Sequence, residues 1–154
     1  MKVLIEIDES LDEAEVVIRC SQYDDSVKTI HQLLSKQTSS YPQFEFFKGN
    51  EEFFLTLNDI IFFETSGDAI YGHTHDDAFQ IKIRLYELEQ MLPSNFTRIS
   101  KSSILNIIHV KSIERKLNSS SLVQFRESHK EVYVSRLYYK GLKEKMKERR
   151  YYEK

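Results

Sequence analysis

Between Phe44 and Val134 the sequence is a succession of short apolar segments, each bounded by turn residues. Rich in β-branched and aromatic residues, such runs are typical of strands, because most helices need a longer periodic pattern. One short helix is indicated by Leu85 and Leu88 and ends at Pro93. The sequence therefore predicts a mainly β domain. Its clearest strands are 44–48, 52–56, 59–64, 69–73, 79–83, 110–115, 121–125 and 131–134, with Gly49-Asn50 as a hairpin turn.

The phenylalanines of the first three strands have two possible uses. They could stack on the bases of a single-stranded nucleic acid, or they could form the core. Because they alternate within apolar strands, we expect a core role. The residues concerned are Phe44, Phe46, Phe47, Phe53, Phe54, Phe62 and Phe63.

The first 43 residues have a different pattern. Segments 2–7 and 15–20 are short and β-branched and predict two strands. Residues 24–36 carry apolar side chains at helical spacing, with Asp24 or Asp25 available as the N-cap. The polar segment 37–42 predicts a linker. We therefore expect a small α/β strand-strand-helix unit at 1–43, with a dimerisation or regulatory role, and a second domain at 44–150 that ends in a helix over 138–150.

Charge is distributed unevenly along the chain. The overall formal charge is −2, but residues 1–43 carry a net −4, residues 44–97 a net −7 and residues 98–154 a net +9. A basic third of this kind is expected when one face meets a polyanion, although a solvated basic helix would also explain much of it. The single cysteine, Cys20, and the lack of a long apolar run predict a cytoplasmic protein.

The basic third opens with Phe96-Thr-Arg-Ile-Ser-Lys-Ser-Ser-Ile-Leu-Asn106. Cationic and hydroxyl side chains followed by an apolar anchor could contact phosphates and base edges, or could be an ordinary loop before a core strand. Asn106 lies within the apolar run, so we expect it to satisfy buried backbone groups rather than to contact bases. The candidate contacts in this stretch are Arg98, Ser100, Lys101, Ser102 and Ser103.

Other chemistry receives little support from the sequence. The segment His73-Thr-His-Asp-Asp77 resembles a hairpin turn, and further ligands at metal-site spacing do not accompany it. Nothing orients Cys20 toward His31, so we expect a buried, unreactive thiol. Only four glycines are available, and they do not form a phosphate loop. We predict no metal, no cofactor and no enzymatic activity.

Residues 44–147 resemble the LytTR DNA-binding domain of bacterial transcription regulators. The resemblance lies in Leu57-Asn-Asp-Ile-Ile-Phe-Phe-Glu64, in Leu92-Pro93, in the stretch 96–106 and in Val132-Tyr-Val-Ser-Arg136. It implies an elongated, mainly β domain whose loops read successive major grooves of double-stranded DNA. The implied contacts lie in the loop from Ser66 to Ile70, in 100–103 and in 135–137. We also expect a contact from Lys140, one helical turn after Arg136.

Two positions depart from the family pattern. The first loop carries Asp68, with Ala69 and Ile70 where the family pattern has a His or another donor, and Leu137 takes a place where a basic residue is common. Lys101 and Arg136 are therefore the principal candidates for contact with DNA.

The resemblance also implies partners. We expect a sequence-specific transcriptional regulator that binds promoter repeats as a homodimer. Some receiver-free members of the family are restrained by a small membrane protein encoded nearby, and this chain is too short in front of residue 44 to hold a receiver. The alternative is a protein-interaction module that uses its acidic half, residues 1–97, without direct DNA binding.

Overall fold

A computed structural model describes residues 2, 4–12, 14–38, 43–117 and 120–149. The chain divides into two compact units, Met1–Ser40 and Tyr41–Lys154. Each unit is described by itself below.

The first unit contains helix α1, Asp25–Thr38. Asp24 caps it, because its Oδ1 accepts a hydrogen bond of 2.9 Å from the Val27 backbone N–H. The helix and its cap were predicted correctly. Among described residues, this unit has no other helix and no strand.

The two strands predicted at 2–7 and 15–20 are wrong for the residues that the structure describes there. Leu4, Ile5 and Ile7 are 86 %, 84 % and 88 % exposed, so nothing within the described unit covers them. An isolated two-stranded hairpin is marginal in water, and β-branched composition alone does not supply a partner. Cys20 is accordingly exposed rather than buried. His31 bonds the Tyr23 hydroxyl at 2.8 Å instead of approaching the thiol.

The second unit is mainly β, as predicted. A seven-stranded antiparallel sheet has the order β2-β1-β5-β4-β3-β7-β6, and a three-stranded antiparallel sheet has the order β10-β9-β8. The strands are β1 Phe46–Lys48, β2 Glu51–Phe53, β3 Phe62–Ser66, β4 Ala69–His73, β5 Ala78–Ile81, β6 Phe96–Ser100, β7 Ser103–Asn106, β8 Val110–Arg115, β9 Ser121–Phe125 and β10 Glu131–Val134. The helices are α2 Leu85–Met91 and α3 Arg136–Glu148, and short 3-10 turns cover Leu57–Asp59 and Ile107–His109.

Both faces of the large sheet are covered. Neighbouring residues of β7 point to opposite faces, and Ile104 and Leu105 accordingly belong to two different buried clusters. One cluster includes Leu88 of α2, and the other includes Leu142 of α3 and side chains of the smaller sheet. The predicted aromatic core is confirmed at Phe44, Phe46, Phe62 and Phe63, whereas Phe47 and Phe53 are half-buried. The prediction for Phe54 is wrong, since this side chain follows the end of β2 and is 90 % exposed.

Asn106 is the buried amide that ties these layers together. Its side chain is fully buried, and its Nδ2 donates to the Ile60 carbonyl at 2.9 Å. Its Oδ1 accepts from Asn95 Nδ2 at 2.9 Å and from the Ile108 backbone N–H at 3.2 Å. The predicted structural role of Asn106 is confirmed. These bonds fix the base of the β6–β7 hairpin against the segment that enters β3.

Candidate nucleic-acid interface

Four segments of the second unit meet at one end of its two sheets. The turn between β3 and β4 lies beside the turn between β6 and β7, because Glu64 pairs with Ser103 and the Thr65 N–H donates to the Ser102 carbonyl at 2.8 Å. The start of α3 adjoins the second turn, since the Ser135 N–H donates to the Ile99 carbonyl at 2.9 Å.

The fourth segment is the turn between β8 and β9. Ser121 pairs with both Arg115 of β8 and Val134 of β10, which places the described end of this turn at Ser120 next to the start of α3. Three of the four segments hold residues that the sequence predicted as contacts. The β8–β9 turn was not among them.

A shallow groove of ≈ 410 Å³ runs between these segments. Its walls include four of the predicted site residues, Ser100, Ser102, Ser103 and Ser135, together with Glu64, Glu131 and Tyr133. The structure therefore brings the serines of two separate sequence segments to one surface. Ser103 differs from the others in being buried, at 5 % exposure.

The Arg98 guanidinium makes its contacts within the protein. Its Nε donates to the Ser100 carbonyl at 2.6 Å, and its Nη1 lies 2.9 Å from Glu89 Oε2 of α2. Its Nη2 also donates to the Lys101 carbonyl. The side chain is only 16 % exposed. Arg98 thus holds the β6–β7 turn from beneath, next to the register shift that lies between Arg98 and Ser100.

Lys101 and Ser102 form the tip of that turn and are exposed. Ser100 Oγ accepts from the Ser102 backbone N–H at 3.1 Å, which closes the turn locally. The Lys101 carbonyl is engaged by Arg98, so its side chain extends from a fixed backbone. This arrangement presents a cation at the end of a rigid hairpin.

The remaining predicted residues lie around this tip. Ser66 ends β3 and is exposed, and Gly67 after it adopts a φ of +61, which favours glycine. Ser135 precedes α3, Arg136 is its first residue, and both Arg136 and Lys140 are exposed. Residues four apart share a helix face, so Arg136 and Lys140 present their charges on one side of α3.

Two basic residues near Arg136 were missed by the sequence reasoning. Arg115 and Lys116, at the end of β8, line a separate cavity of ≈ 280 Å³ together with Arg136 and Tyr139. The available signal was a basic pair placed just before the turn residues Asn118-Ser-Ser120. Its relation to Arg136 depends on strand pairing and could not be seen in sequence.

The histidines of the β4–β5 hairpin diverge instead of forming a metal site. The His73 ring stacks on Phe62 with centroids 4.1 Å apart, and its Nε2 lies 2.9 Å from Glu64 Oε1. His75 packs edge-on against His109 at 5.1 Å. Burial lowers the pKa of His73, and the nearby Lys130 ammonium lowers that pKa further. Among the described residues, no three His, Cys, Asp or Glu side chains are placed to hold a metal ion.

Comparison with known proteins places this fold in a family. The family model of the LytTr DNA-binding domain matches residues 50–147, which include all four converging segments. The chain belongs to the LytTR family. It therefore carries a DNA-binding domain of the kind found in transcription regulators, and this family is not a class of enzymes.

Relatives of this LytTR chain occur in Staphylococcus aureus. Proteins named uncharacterized HTH-type transcriptional regulators are 28 % identical over 146 residues in strain NCTC 8325 and 27 % identical in strain MRSA252. Each alignment covers 95 % of this chain and 98 % of the relative. Five strands lie between α2 and α3, the two α-helices described in the second unit. These two helices do not form a helix-turn-helix motif.

A solved structure shares the fold. The LytTr DNA-binding domain of a methyl-accepting/DNA response regulator from Bacillus cereus superimposes with a TM-score of 0.61 at 21 % identity. The match covers 66 % of this chain and 94 % of that domain. The mainly β LytTr-like architecture is thereby confirmed. In the part of the chain that the structure describes, no helix is both long and apolar enough to cross a membrane.

Proposed function

We propose that this protein is a cytoplasmic transcriptional regulator that binds specific sequences of double-stranded DNA and reads the major groove through loops of its β domain. The observation that carries the proposal is the meeting of three sequence-distant segments at one end of the sheets. Ser66, the Lys101 turn and Arg136 are adjacent through backbone hydrogen bonds and strand pairing. The transcriptional-regulator names of the relatives support the same function.

Some residues of this surface are proposed to contact DNA, and others hold the surface in place. Lys101 and Arg136 are exposed cations and are proposed to contact phosphates and guanine edges, which these side chains commonly do. Lys140 adds a phosphate contact on the same face of α3. Ser66, Ser100, Ser102, Ser103 and Ser135 supply hydroxyl or backbone donors around the groove. Arg98 contributes by holding the turn, because its guanidinium is already bonded to two carbonyls and Glu89.

The regulatory setting is part of the same proposal. The exposed Leu4, Ile5 and Ile7 of the first unit support a role for residues 1–43 in contact with another protein. We propose that the partner is a second copy of this chain, because most soluble oligomers are symmetric homo-oligomers and two-fold dimers are the commonest of them. An inhibitory small membrane protein encoded nearby is a further candidate partner.

The test is DNA selection with the purified full chain, followed by affinity measurements on the selected duplex. We expect Lys101→Ala and Arg136→Ala each to weaken binding by about 5- to 150-fold, since a good base contact contributes ~1–3 kcal/mol. Lys111→Ala is the matched control, because Lys111 is an exposed lysine at the far end of β8. If neither variant differs from Lys111→Ala, the assignment of the contact residues is wrong.

The same experiment judges the function as a whole. If the wild-type protein selects no motif and shifts no duplex at low salt, DNA recognition is refuted. The interaction module built on acidic residues 1–97 would then be the better account.

A further inference from the structure

The cavity beside the start of α3 has a composition unlike that of the groove. Arg115, Lys116 and Arg136 are three of its seven lining residues, and among the described residues no carboxylate lines it. The groove, by contrast, has Glu64 and Glu131 in its walls and no cationic side chain from the part of the chain that the structure describes. Ser120 borders both, so the basic cavity and the groove adjoin. An anion is therefore favoured in the cavity and disfavoured in the groove.

Arg115 is held in place before any ligand arrives. Its guanidinium carbon lies 5.1 Å from the centre of the Tyr139 ring, a cation–π arrangement. Tyr139 is half-buried on α3, three residues after Arg136, so it lies on the same face of the helix. A long side chain that is already ordered loses less conformational entropy on binding. Tyr139 acts as a positioning residue for Arg115.

Lys116 meets its strongest competitor for an incoming anion in the exposed Glu114, and a weaker one in the exposed Glu131. Its Nζ lies 3.0 Å from Glu114 Oε1, and the two side chains are 39 % and 58 % exposed. An exposed pair of this kind contributes little to stability. A phosphate can therefore replace Glu114 at little cost.

We propose that Arg115 and Lys116 clamp a backbone phosphate of the DNA, next to Arg136 and beside the groove that faces the bases. The inference rests on the proposed function and adds Arg115 and Lys116 to the binding surface. Cationic side chains that contact a phosphodiester fix the position of a protein on the duplex, but these contacts carry no sequence information. Arg115 and Lys116 fix the register on the duplex, whereas Lys101 and Arg136 supply the base contacts.

The test measures the affinity of the full chain between 50 and 200 mM salt, on a selected duplex and on an unrelated one. Losing one phosphate contact should make the slope of log affinity against log salt shallower by about 0.9. The loss of affinity between 50 and 200 mM salt should then be about 3.5-fold smaller than in the wild type. We expect a change of this size for Arg115→Ala and for Lys116→Ala. Affinity should fall equally on both duplexes, which leaves the specificity ratio unchanged.

Two controls make the outcome specific. Lys111→Ala removes a charge from the same strand, about 13 Å from Arg115 at ~3.3 Å per residue, and should leave the slope unchanged. Tyr139→Leu should weaken binding as Arg115→Ala does, with no further loss when the two are combined, whereas Tyr139→Phe retains the ring and the affinity. A merely structural role of Tyr139 would lower affinity equally in the presence and absence of Arg115.

The failures of the two proposals are distinguishable. If the wild type binds its selected duplex and Arg115→Ala/Lys116→Ala shows the wild-type slope, the clamp is overturned and DNA recognition stands. A loss confined to the selected duplex would assign these residues to base reading and would also overturn the clamp. If the wild type binds no duplex at 50 mM salt, both proposals fall.

Discussion

Replacing Asn106 by alanine should destabilise the β domain more than any change at its exposed amides. The substitution removes three hydrogen bonds, to the Ile60 carbonyl, to Asn95 Nδ2 and to the Ile108 N–H. Ile60 is fully buried and Asn95 is 8 % exposed, so water cannot readily replace Asn106 as their partner. A buried polar group left without its partner costs ~1–3 kcal/mol.

The expected loss follows from this count. Two well-buried partners give about 2–6 kcal/mol, and the half-buried Ile108 N–H adds less. A free energy of unfolding of ~5–15 kcal/mol is usual for a domain, so the variant should lose a large fraction of its stability. Because Asn106 lies at the end of β7, the hairpin that carries Lys101 should loosen with it.

The assay is urea unfolding of the full chain, followed by far-ultraviolet circular dichroism. With a slope of ~2 kcal/mol per molar urea, a loss of about 4 kcal/mol moves the midpoint down by about 2 M. Asn58→Ala is the control, since Asn58 is exposed and its backbone carbonyl, which contacts His109 Nε2, is retained. A midpoint within about 0.3 M of the wild type would refute the reasoning, because it would mean that the three bonds are replaced at no cost.

Two further predictions concern stability. Gly72→Ala would place a Cβ 2.9 Å from a Phe46 ring carbon, so we expect a loss of ~1–3 kcal/mol from overpacking. Gly141→Ala on α3 meets nothing within 4 Å and should gain up to ~1 kcal/mol; equal melting temperatures for these two variants would contradict the argument. Burial and Lys130 lower the pKa of His73 from 6.5, so its neutral form stabilises the fold above pH 6.5, and that stability is lost as pH falls toward the folded-state pKa. His73→Gln should therefore reduce the stability difference between about pH 5.5 and 7.5, measured by urea unfolding, and an unchanged difference would exclude this role.

Much of the β domain could be predicted from local pattern. Strands β4, β8, β9 and β10 have the predicted bounds, because alternating apolar residues and turn signals define both ends of each strand. Asn106 could also be interpreted correctly, since an amide within an apolar run must bond buried groups.

The features that could not be predicted depend on contacts between residues distant in sequence. The N-terminal segments have strand-like composition, but the described residues around them supply no partner strand. Arg98 has the sequence signature of a DNA contact, and only the fold reveals that Glu89 and two carbonyls occupy its guanidinium. The grouping of Arg115 with Arg136 likewise arises from strand pairing through Ser121, which no local pattern encodes.

The outer strand β2 has a consequence for how copies of the domain can meet. It is only three residues long, lies at the edge of the large sheet and begins with Glu51 and Glu52, both exposed. A second copy adding its own β2 antiparallel to this edge would bring four carboxylates together, and like charges directly opposite one another are destabilising. The strand thus discourages fusion of two sheets into one. Association between two copies of the domain is therefore favoured at another surface.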